Sequence, residues 1–204
     1  YTDRPYMMLR KEAYEAFTEI KIVEKKQGLT WARLAGVSKS LAEICIFVDD
    51  DNILQYNFLE SAYRIMSQNL CLAAIGGISI GKYEIPPPLY VNVINNMLAV
   101  RNCGDNALQY SLKEQGNKLT TYPEYSPIGA GMVIRKNALE NYIQEVESGN
   151  SIIQDRTGNN LSSGGDNDIV LHVLKARFTT AYFLDLVLEH RIPPRRLKPD
   201  HLAE

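Results

Sequence analysis

The sequence predicts an α/β fold, in which short apolar strands alternate with amphipathic helices along one chain. Apolar runs of strand length recur along the sequence, and segments with helical spacing of apolar residues follow them. Turns rich in Gly, Pro and Asn separate these segments. The chain has 204 residues, 45% of them hydrophobic, which is enough to bury one core. We therefore expect a single domain over residues 1–204.

The predicted elements follow the chain in order, with one irregular stretch in the middle. Apolar residues at helical spacing predict helices over Pro5–Phe17, Trp31–Ala42, Asn57–Gln68, Asn137–Glu147 and Asp166–Ala176. Alternating or continuous apolar runs predict strands over Glu19–Glu24, Ile44–Val48, part of Leu70–Ile80, Gly131–Arg135 and Thr179–Phe183. Residues 83–125 contain three consecutive prolines and many polar residues, so we interpret them as a variable insertion, with a helical part over Asn92–Arg101. Ser148–Gly165 is predicted to be a loop, and His190–Pro194 a turn.

Three consecutive carboxylates are the most informative feature of the chain. Asp49, Asp50 and Asp51 directly follow Ile44–Val48, which reads as a buried strand of a parallel sheet. Open α/β sheets bind ligands outside the carboxyl ends of their strands. The repulsion among three carboxylates is relieved if a divalent cation carrying a phosphorylated ligand binds there. The alternative is a solvated acidic turn that caps the following helix.

Two further segments contain residues suited to an anionic ligand. Arg33 lies in the first turns of a predicted helix, where its guanidinium can meet phosphate oxygens, although a simple surface arginine fits the pattern as well. Gly129 and Gly131 flank an alanine just before a predicted strand. Such glycines either let a ligand approach the backbone closely or form an ordinary tight turn.

Two residues near the carboxyl end of the chain have side chains that can handle protons or metals. Asp166 follows a Ser/Gly-rich stretch at the start of a helix, where it can accept a proton from an attacking hydroxyl or simply cap the helix. His190 is a candidate metal ligand or a structural histidine. Arg195 and Arg196 follow it, and either hold an anionic group or are solvated at the edge.

Taken in this order, the motifs resemble the family 2 glycosyltransferases of the GT-A fold. The matching segments are Gly28–Arg33, Phe47–Asn52, Gly129–Arg135, Ser163–Asp168 and Leu188–Leu197. The resemblance implies a mixed, Rossmann-like sheet flanked by helices. Because the family begins with two strands that have no counterpart before Glu19–Glu24, the chain is interpreted as an N-terminally truncated member, which alone is inactive if the base pocket is missing.

The resemblance also implies roles for individual residues. Its Asp-x-Asp motif falls on Asp49 and Asp51, which with His190 would bind Mn²⁺ or Mg²⁺. The donor, a nucleoside-diphosphate sugar, would be bound by Arg33, Asp49, Asp50, Gly129 and Gly131. Asp166 matches the family's general base, but Gly165 stands where the family has glutamate.

These roles imply an inverting, metal-dependent transfer of a sugar to an acceptor hydroxyl. The expected acceptor is a saccharide or lipid-linked saccharide of bacterial polysaccharide synthesis, with residues 83–125 on the acceptor side. The alternatives are a non-catalytic nucleotide- or glycan-binding module and another metal-dependent nucleotide enzyme, such as a nucleotidyltransferase.

Charge and cysteine usage limit the partners and the compartment. A formal net charge of −2 argues against binding of nucleic acid through bulk electrostatics. Three widely spaced cysteines fit a reducing compartment. We therefore expect a cytoplasmic protein. A lipid-linked acceptor would imply peripheral association with the inner face of the membrane.

Overall fold

The computed structural model describes residues 18–116, 118–119, 121–149 and 164–198. The predicted helix Pro5–Phe17 and most of the predicted loop 148–165 lie outside these residues. The helices are α1 (Leu29–Lys39), α2 (Phe58–Gln68), α3 (Glu140–Glu147) and α4 (Gly165–Lys175). The strands are β1 (Ile44–Ile46), β2 (Asn52–Leu54), β3 (Leu72–Tyr83), β4 (Leu108–Ser111), β5 (Val133–Arg135) and β6 (Thr179–Ile192). Short 3₁₀ helices span Leu89–Val93, Asn95–Leu98, Lys136–Leu139 and Pro194–Leu197.

One mixed sheet contains all six described strands. Its order is β1-β5-β3-β6-β2, and β4 also pairs with β6. The central pair, β3 and β6, is parallel, whereas every other pairing is antiparallel. The pairing of β3 with β6 shifts register between Gly76 and Ile78. A side chain at Gly77 would collide with the backbone oxygens of Phe183 and Leu186, so only glycine fits this irregularity.

Helices cover both faces of the sheet because neighbouring strand residues point to opposite sides. On β3 and β5, Ala74 and Ile134 belong to a core cluster that also contains Leu34 of α1 and Val170 of α4. The residues next to them, Ile75 and Val133, pack in a second cluster against α2, which contributes Phe58, Ala62, Ile65 and Met66. This arrangement confirms the predicted α/β class with a mixed sheet between helices.

The first two predicted strands need correction. Glu19–Glu24 is neither helix nor strand, and its apolar residues Ile20 and Val23 are exposed. Its alternating pattern does not suffice, because a strand also needs a partner for its backbone groups and a surface to cover. The predicted strand Ile44–Val48 is shortened to Ile44–Ile46, is half-buried, and pairs antiparallel with β5 at the end of the described sheet order. An apolar run does not distinguish parallel from antiparallel pairing.

Other predicted elements exist with different bounds. The predicted strand Thr179–Phe183 extends to Ile192, so His190 lies within a strand rather than in the predicted turn. Asn92–Arg101 contains part of one 3₁₀ helix and the whole of another instead of an α-helix. β4 places part of residues 83–125 in the sheet, and β2, inside the acidic turn region, was not predicted.

His172 joins α3 to α4 in the helical layer. Its Nε2 lies 2.7 Å from Oε2 of Glu145, and its Nδ1 lies 2.8 Å from the backbone oxygen and 3.3 Å from Oδ1 of Asp168. The ring also meets Tyr142 edge-on. The hydrogen bond with the Asp168 side chain, helped by Glu145 and opposed by burial, raises the pKa of His172 from 6.5 to about 9.

We expect this contact to make stability depend on pH. Because the folded pKa is the higher one, the protonated ring stabilises the fold fully below pH 6.5, and this contribution is lost as pH rises towards about 9. Its size is on the order of 2 to 3 kcal/mol. Urea unfolding at pH 6, 7.5 and 9 should show this fall in the native protein and a flatter profile in His172→Gln. Parallel profiles for the two proteins would refute the assignment.

None of the helices in the described segments combines the length and apolar character needed to cross a membrane.

Candidate active site

A cavity of about 860 Å³ collects the residues that the sequence singled out. Its lining comes from six parts of the chain: the start of α1, the acidic turn between β1 and β2, residues 97–101, the loop before β5, the start of α4, and the end of β6 with the following 3₁₀ helix. The predicted site residues in its lining are Arg33, Asp49, Asp50, Asp51, Gly129, Asp166 and His190. The acidic triplet and Asp166 therefore face the same cavity.

The acidic turn is closed by Asn52. The backbone N–H of Asn52 donates to the backbone oxygen of Asp49 at 3.1 Å, and the backbone N–H of Asp49 donates to Oδ1 of Asn52 at 3.3 Å. The Asn52 amide also donates to Oδ1 of Asp51 at 3.1 Å. These hydrogen bonds fix the backbone of the four-residue turn Asp49–Asn52. Within it, Asp49 and Asp51 are partly buried and Asp50 is exposed.

Strand pairing brings His190 beside Asp51. β2 pairs with β6 so that Asn52 is opposite His190, and the backbone N–H of Arg191 donates to the backbone carbonyl oxygen of Asp51 at 2.8 Å. Oδ2 of Asp51 then lies 3.3 Å from Nε2 of His190. Nη1 of Arg196 lies 2.9 Å from the same nitrogen and 3.4 Å from the same oxygen. A carboxylate, an imidazole and a guanidinium thus meet at one point of the cavity.

The two outer aspartates of the triplet have opposite pKa shifts. Burial would raise the pKa of Asp51, but its contact with His190 and the charge of Arg196 outweigh burial and hold it below its ordinary value. Burial raises the pKa of Asp49; the charge of Arg33 opposes this rise, while the carboxylates of Asp51 and Asp166 add to it. Asp51 is therefore the carboxylate best kept ionised for binding a cation.

Asp166 is held at the start of α4 by two donors. Nη1 of Arg33 donates to its Oδ1 at 2.9 Å, and the backbone N–H of Gly129 donates to its Oδ2 at 2.6 Å. The side chain of Arg33 is 8% exposed and that of Asp166 is 22% exposed, so the ion pair is largely shielded from water. A carboxylate accepts about four hydrogen bonds, which leaves lone pairs for a substrate hydroxyl.

The two glycines of the loop before β5 have separate structural reasons. A Cβ on Gly129 would overlap the Arg33 guanidinium, so glycine permits the contact with Asp166. Gly131 has φ +76 and donates its N–H to the oxygen of Phe47 at 2.9 Å. A Cβ there would also collide with Leu188. Gly131 is thus explained by the fold, and it does not line the cavity with Gly129 and Ala130.

Two hydroxyls in the cavity lining were not predicted as site residues. The oxygens of Tyr122 and Ser126 are buried and lack a well-formed hydrogen bond to any described residue. Burial, partly offset by the nearby Ser126 hydroxyl, raises the pKa of Tyr122 to about 12, so the phenol stays protonated. Buried hydroxyls whose hydrogen bonds are incomplete can bind the hydroxyls of a ligand. In the sequence, Tyr122 belongs to residues 83–125, which were placed on the acceptor side, and Ser126 begins the segment that contains Gly129.

The structure brings together fewer of the predicted metal ligands than the resemblance implies. Among the residues that the structure describes, no three His, Cys, Asp or Glu side chains form a group able to hold one ion. Asp51 offers an oxygen, which suits Mn²⁺ or Mg²⁺, and His190 offers a nitrogen, which Mg²⁺ accepts less readily than Mn²⁺. Divalent cations on nucleotide substrates commonly take one or two protein ligands, with phosphates and water completing the shell. The pair therefore fits such a metal, while Asp49 belongs to no three-ligand group with it.

The fold and the cavity together define the class of protein. A mixed sheet between helices, with an acidic turn and a second carboxylate in one cavity, is consistent with a GT-A-like fold. The family model for glycosyl transferase family 2 matches residues 6–143, and the chain belongs to that family. No curated protein sequence matched this chain.

The family match divides the site residues into two groups. Arg33, the acidic triplet and Gly129 lie within the matched range of residues 6–143. Asp166, His190 and Arg196 lie beyond that range, and the structure places them in the lining of the same cavity. Membership of the family supports glycosyltransferase activity in general and the use of a nucleotide-sugar donor and an acceptor.

Proposed function

We propose that the protein is a metal-dependent, inverting glycosyltransferase that moves a sugar from a nucleoside-diphosphate sugar to an acceptor hydroxyl. The observation that carries this proposal is the convergence of the Asp51–His190 pair and Asp166 in one cavity. One part of that cavity can hold a cation with a diphosphate, and the other offers a carboxylate to an acceptor.

Asp51 and His190 would hold the divalent cation through Oδ2 and Nε2. When bound, the cation neutralises the negative charge that grows on the leaving diphosphate. Arg33 contacts Asp166, and its charge opposes the rise that burial causes in the pKa of Asp49. In the proposal it supplies positive charge at the centre of the cavity, and Asp50 and Gly129 line the donor side.

Asp166 would act on the acceptor. Its carboxylate takes the hydroxyl proton as the acceptor oxygen forms a bond to the anomeric carbon. The bond between that carbon and the diphosphate oxygen breaks, and its electron pair leaves with the nucleoside diphosphate. Attack from the face opposite the leaving group inverts the configuration. The two donors on Asp166 fix its orientation for this step.

The acceptor in this proposal is a saccharide or a lipid-linked saccharide. The cavity lining also contains Tyr122 and Ser126, whose aromatic and hydroxyl groups suit sugar hydroxyls. A cytoplasmic location, with peripheral membrane contact for a lipid-linked acceptor, belongs to the same proposal.

A second candidate function is a nucleotide- or glycan-binding module without turnover. The observation that favours it is the shielded ion pair of Arg33 with Asp166, because both oxygens of the proposed base already have protein donors. The absence of the family's glutamate at Gly165 points the same way.

A donor screen separates the two functions. The full-length protein is incubated with Mn²⁺, oligosaccharide acceptors and a panel of uridine, guanosine and thymidine diphosphate sugars. We expect release of nucleoside diphosphate from at least one donor, and a product whose NMR coupling shows the inverted anomeric configuration. Saturable donor binding without release in the presence of acceptor would favour the binding module, and a retained configuration would refute the inverting mechanism.

A further inference from the structure

Arg196 occupies the position between Asp51 and His190 that a cation would take. Its Nη1 lies 2.9 Å from Nε2 of His190 and 3.4 Å from Oδ2 of Asp51. A guanidinium nitrogen can only donate, so Nε2 of His190 accepts with its lone pair, and the 3.3 Å approach of Oδ2 of Asp51 to that nitrogen is a close contact rather than a hydrogen bond. The ring proton is then on Nδ1 of His190, which is buried and has no hydrogen-bond partner among the described residues. Arg196 thus engages the same lone pairs that would ligate a metal.

The position of Arg196 is set by the chain around it. The 3₁₀ helix Pro194–Leu197 follows β6 directly, and its Leu197 is buried against Val91, Leu98 and Ile192. The hydroxyl of Tyr90 donates to the Leu197 oxygen. The helix is therefore anchored, and the Arg196 side chain, only 19% exposed, is directed into the cavity. The neighbouring Arg195 is exposed and is absent from the cavity lining.

We propose that Arg196 is an internal cation that holds the metal site in its metal-free form and must withdraw when a divalent cation binds. This inference rests on the metal site of the proposed function. Nε2 of His190 has a single lone pair, so it cannot serve the guanidinium and a metal at the same time, and two cations at Oδ2 of Asp51 would repel each other. Metal binding therefore competes with the Arg196 contact, and the observed affinity is reduced by the fraction of molecules in which that contact is open.

The opposite role for Arg196 would have the opposite effect. If the guanidinium only positioned Asp51 and His190 for a metal beside them, removing it would loosen the ligands and weaken metal binding. The sign of the change in metal affinity therefore distinguishes competition from positioning. A readout of binding, rather than of sugar transfer, gives that sign directly.

The test is a titration of the full chain with Mn²⁺ alone, in which electron paramagnetic resonance measures the free aqueous ion. The variants are Arg196→Gln and, as a matched control, Arg195→Gln, which removes the same charge from the same 3₁₀ helix. We expect Arg196→Gln to lower the Kd for Mn²⁺ about tenfold, as for a contact closed in roughly nine molecules of ten. Arg195→Gln should stay close to the native protein, and Asp51→Asn should abolish the tight binding of the Arg196→Gln background.

Three results would overturn the inference. Equal or weaker Mn²⁺ binding by Arg196→Gln, with binding still dependent on Asp51, would leave the metal site in place but remove the competing role of Arg196. If both Arg196→Gln and Arg195→Gln lowered the Kd for Mn²⁺ by the same factor, the effect would come from the removed positive charge and not from the contact with His190. Absence of Mn²⁺ binding in the native protein and in Arg196→Gln would overturn the inference, whereas the donor screen, run with and without Mn²⁺, would still test sugar transfer and its metal dependence.

A second measurement needs no variant and so does not depend on whether Arg196→Gln folds. Crystals of the native protein soaked in Mn²⁺ should show an anomalous peak next to Asp51 and His190, with the Arg196 guanidinium moved away from both. An ion bound there while Nη1 keeps its contact with Nε2 of His190 would refute the exchange.

Discussion

Replacing Asp166 by asparagine is expected to lower the rate of sugar transfer by about a hundredfold or more, the usual contribution of a positioned general base. Asparagine keeps the size of the side chain and can still accept a hydrogen bond from the Gly129 N–H. Its amide is not basic enough to accept a proton from the acceptor hydroxyl. Donor binding should change little, because in the proposed mechanism Asp166 contacts the acceptor. The measurement is kcat with saturating donor, together with the donor Kd.

The control for Asp166→Asn must separate loss of the base from loss of an ion pair. Asp185→Asn breaks a contact of similar length, 2.8 Å to Arg64, at an exposed site in β6. Asp185 is not part of the cavity lining. It should leave transfer unchanged. Because Arg33 is shielded and loses its charged partner in Asp166→Asn, urea unfolding must show that the variant is folded under assay conditions. Near-native turnover by a folded Asp166→Asn would exclude Asp166 as the base.

Replacing Asp51 by asparagine is expected to have an effect of similar size by a different route. The carboxylate provides the negative charge that binds the cation, and its low pKa keeps it ionised at neutral pH. Loss of that charge removes several kcal/mol of stabilisation from the leaving diphosphate, which corresponds to about a hundredfold or more in rate. The measurement is transfer rate as a function of Mn²⁺ concentration.

The concentration dependence identifies the role of Asp51. In Asp51→Asn the Mn²⁺ concentration at half-maximal rate should rise together with the loss of maximal rate, whereas Asp185→Asn should follow the native curve. An unchanged midpoint and rate in Asp51→Asn would exclude this carboxylate as a metal ligand. A lower rate with an unchanged midpoint would assign it to the donor rather than to the metal.

Elements that bury their own apolar stripe were predicted well from the sequence. α2 was predicted as Asn57–Gln68 and begins one residue later, and α4 was predicted as Asp166–Ala176 and spans Gly165–Lys175. Their helical spacing places Phe58, Ala62 and Ile65 of α2, and Ile169 and Val173 of α4, in the core. Period and burial agree in these helices, so local pattern suffices.

Elements whose form depends on a distant partner were predicted poorly. Glu19–Glu24 has the alternating pattern of a strand but does not form one, and no described strand pairs with it. β6 was predicted to end at Phe183, yet it continues to Ile192 because β3 runs parallel along its length and β2 pairs with its last residues. Pattern within a segment contains no information about what lies next to it.

The sequence by itself determined the chemical groups that this protein has: an acidic turn after an apolar strand, an aspartate opening a helix, and a histidine followed by arginines. Only the tertiary structure decided which of these groups meet. Arg33 pairs with Asp166 across 133 positions, and Arg196 reaches Asp51 across 145. Contacts over such separations are fixed by the register of β2 on β6 and by the packing of α1 and α4 on one face of the sheet.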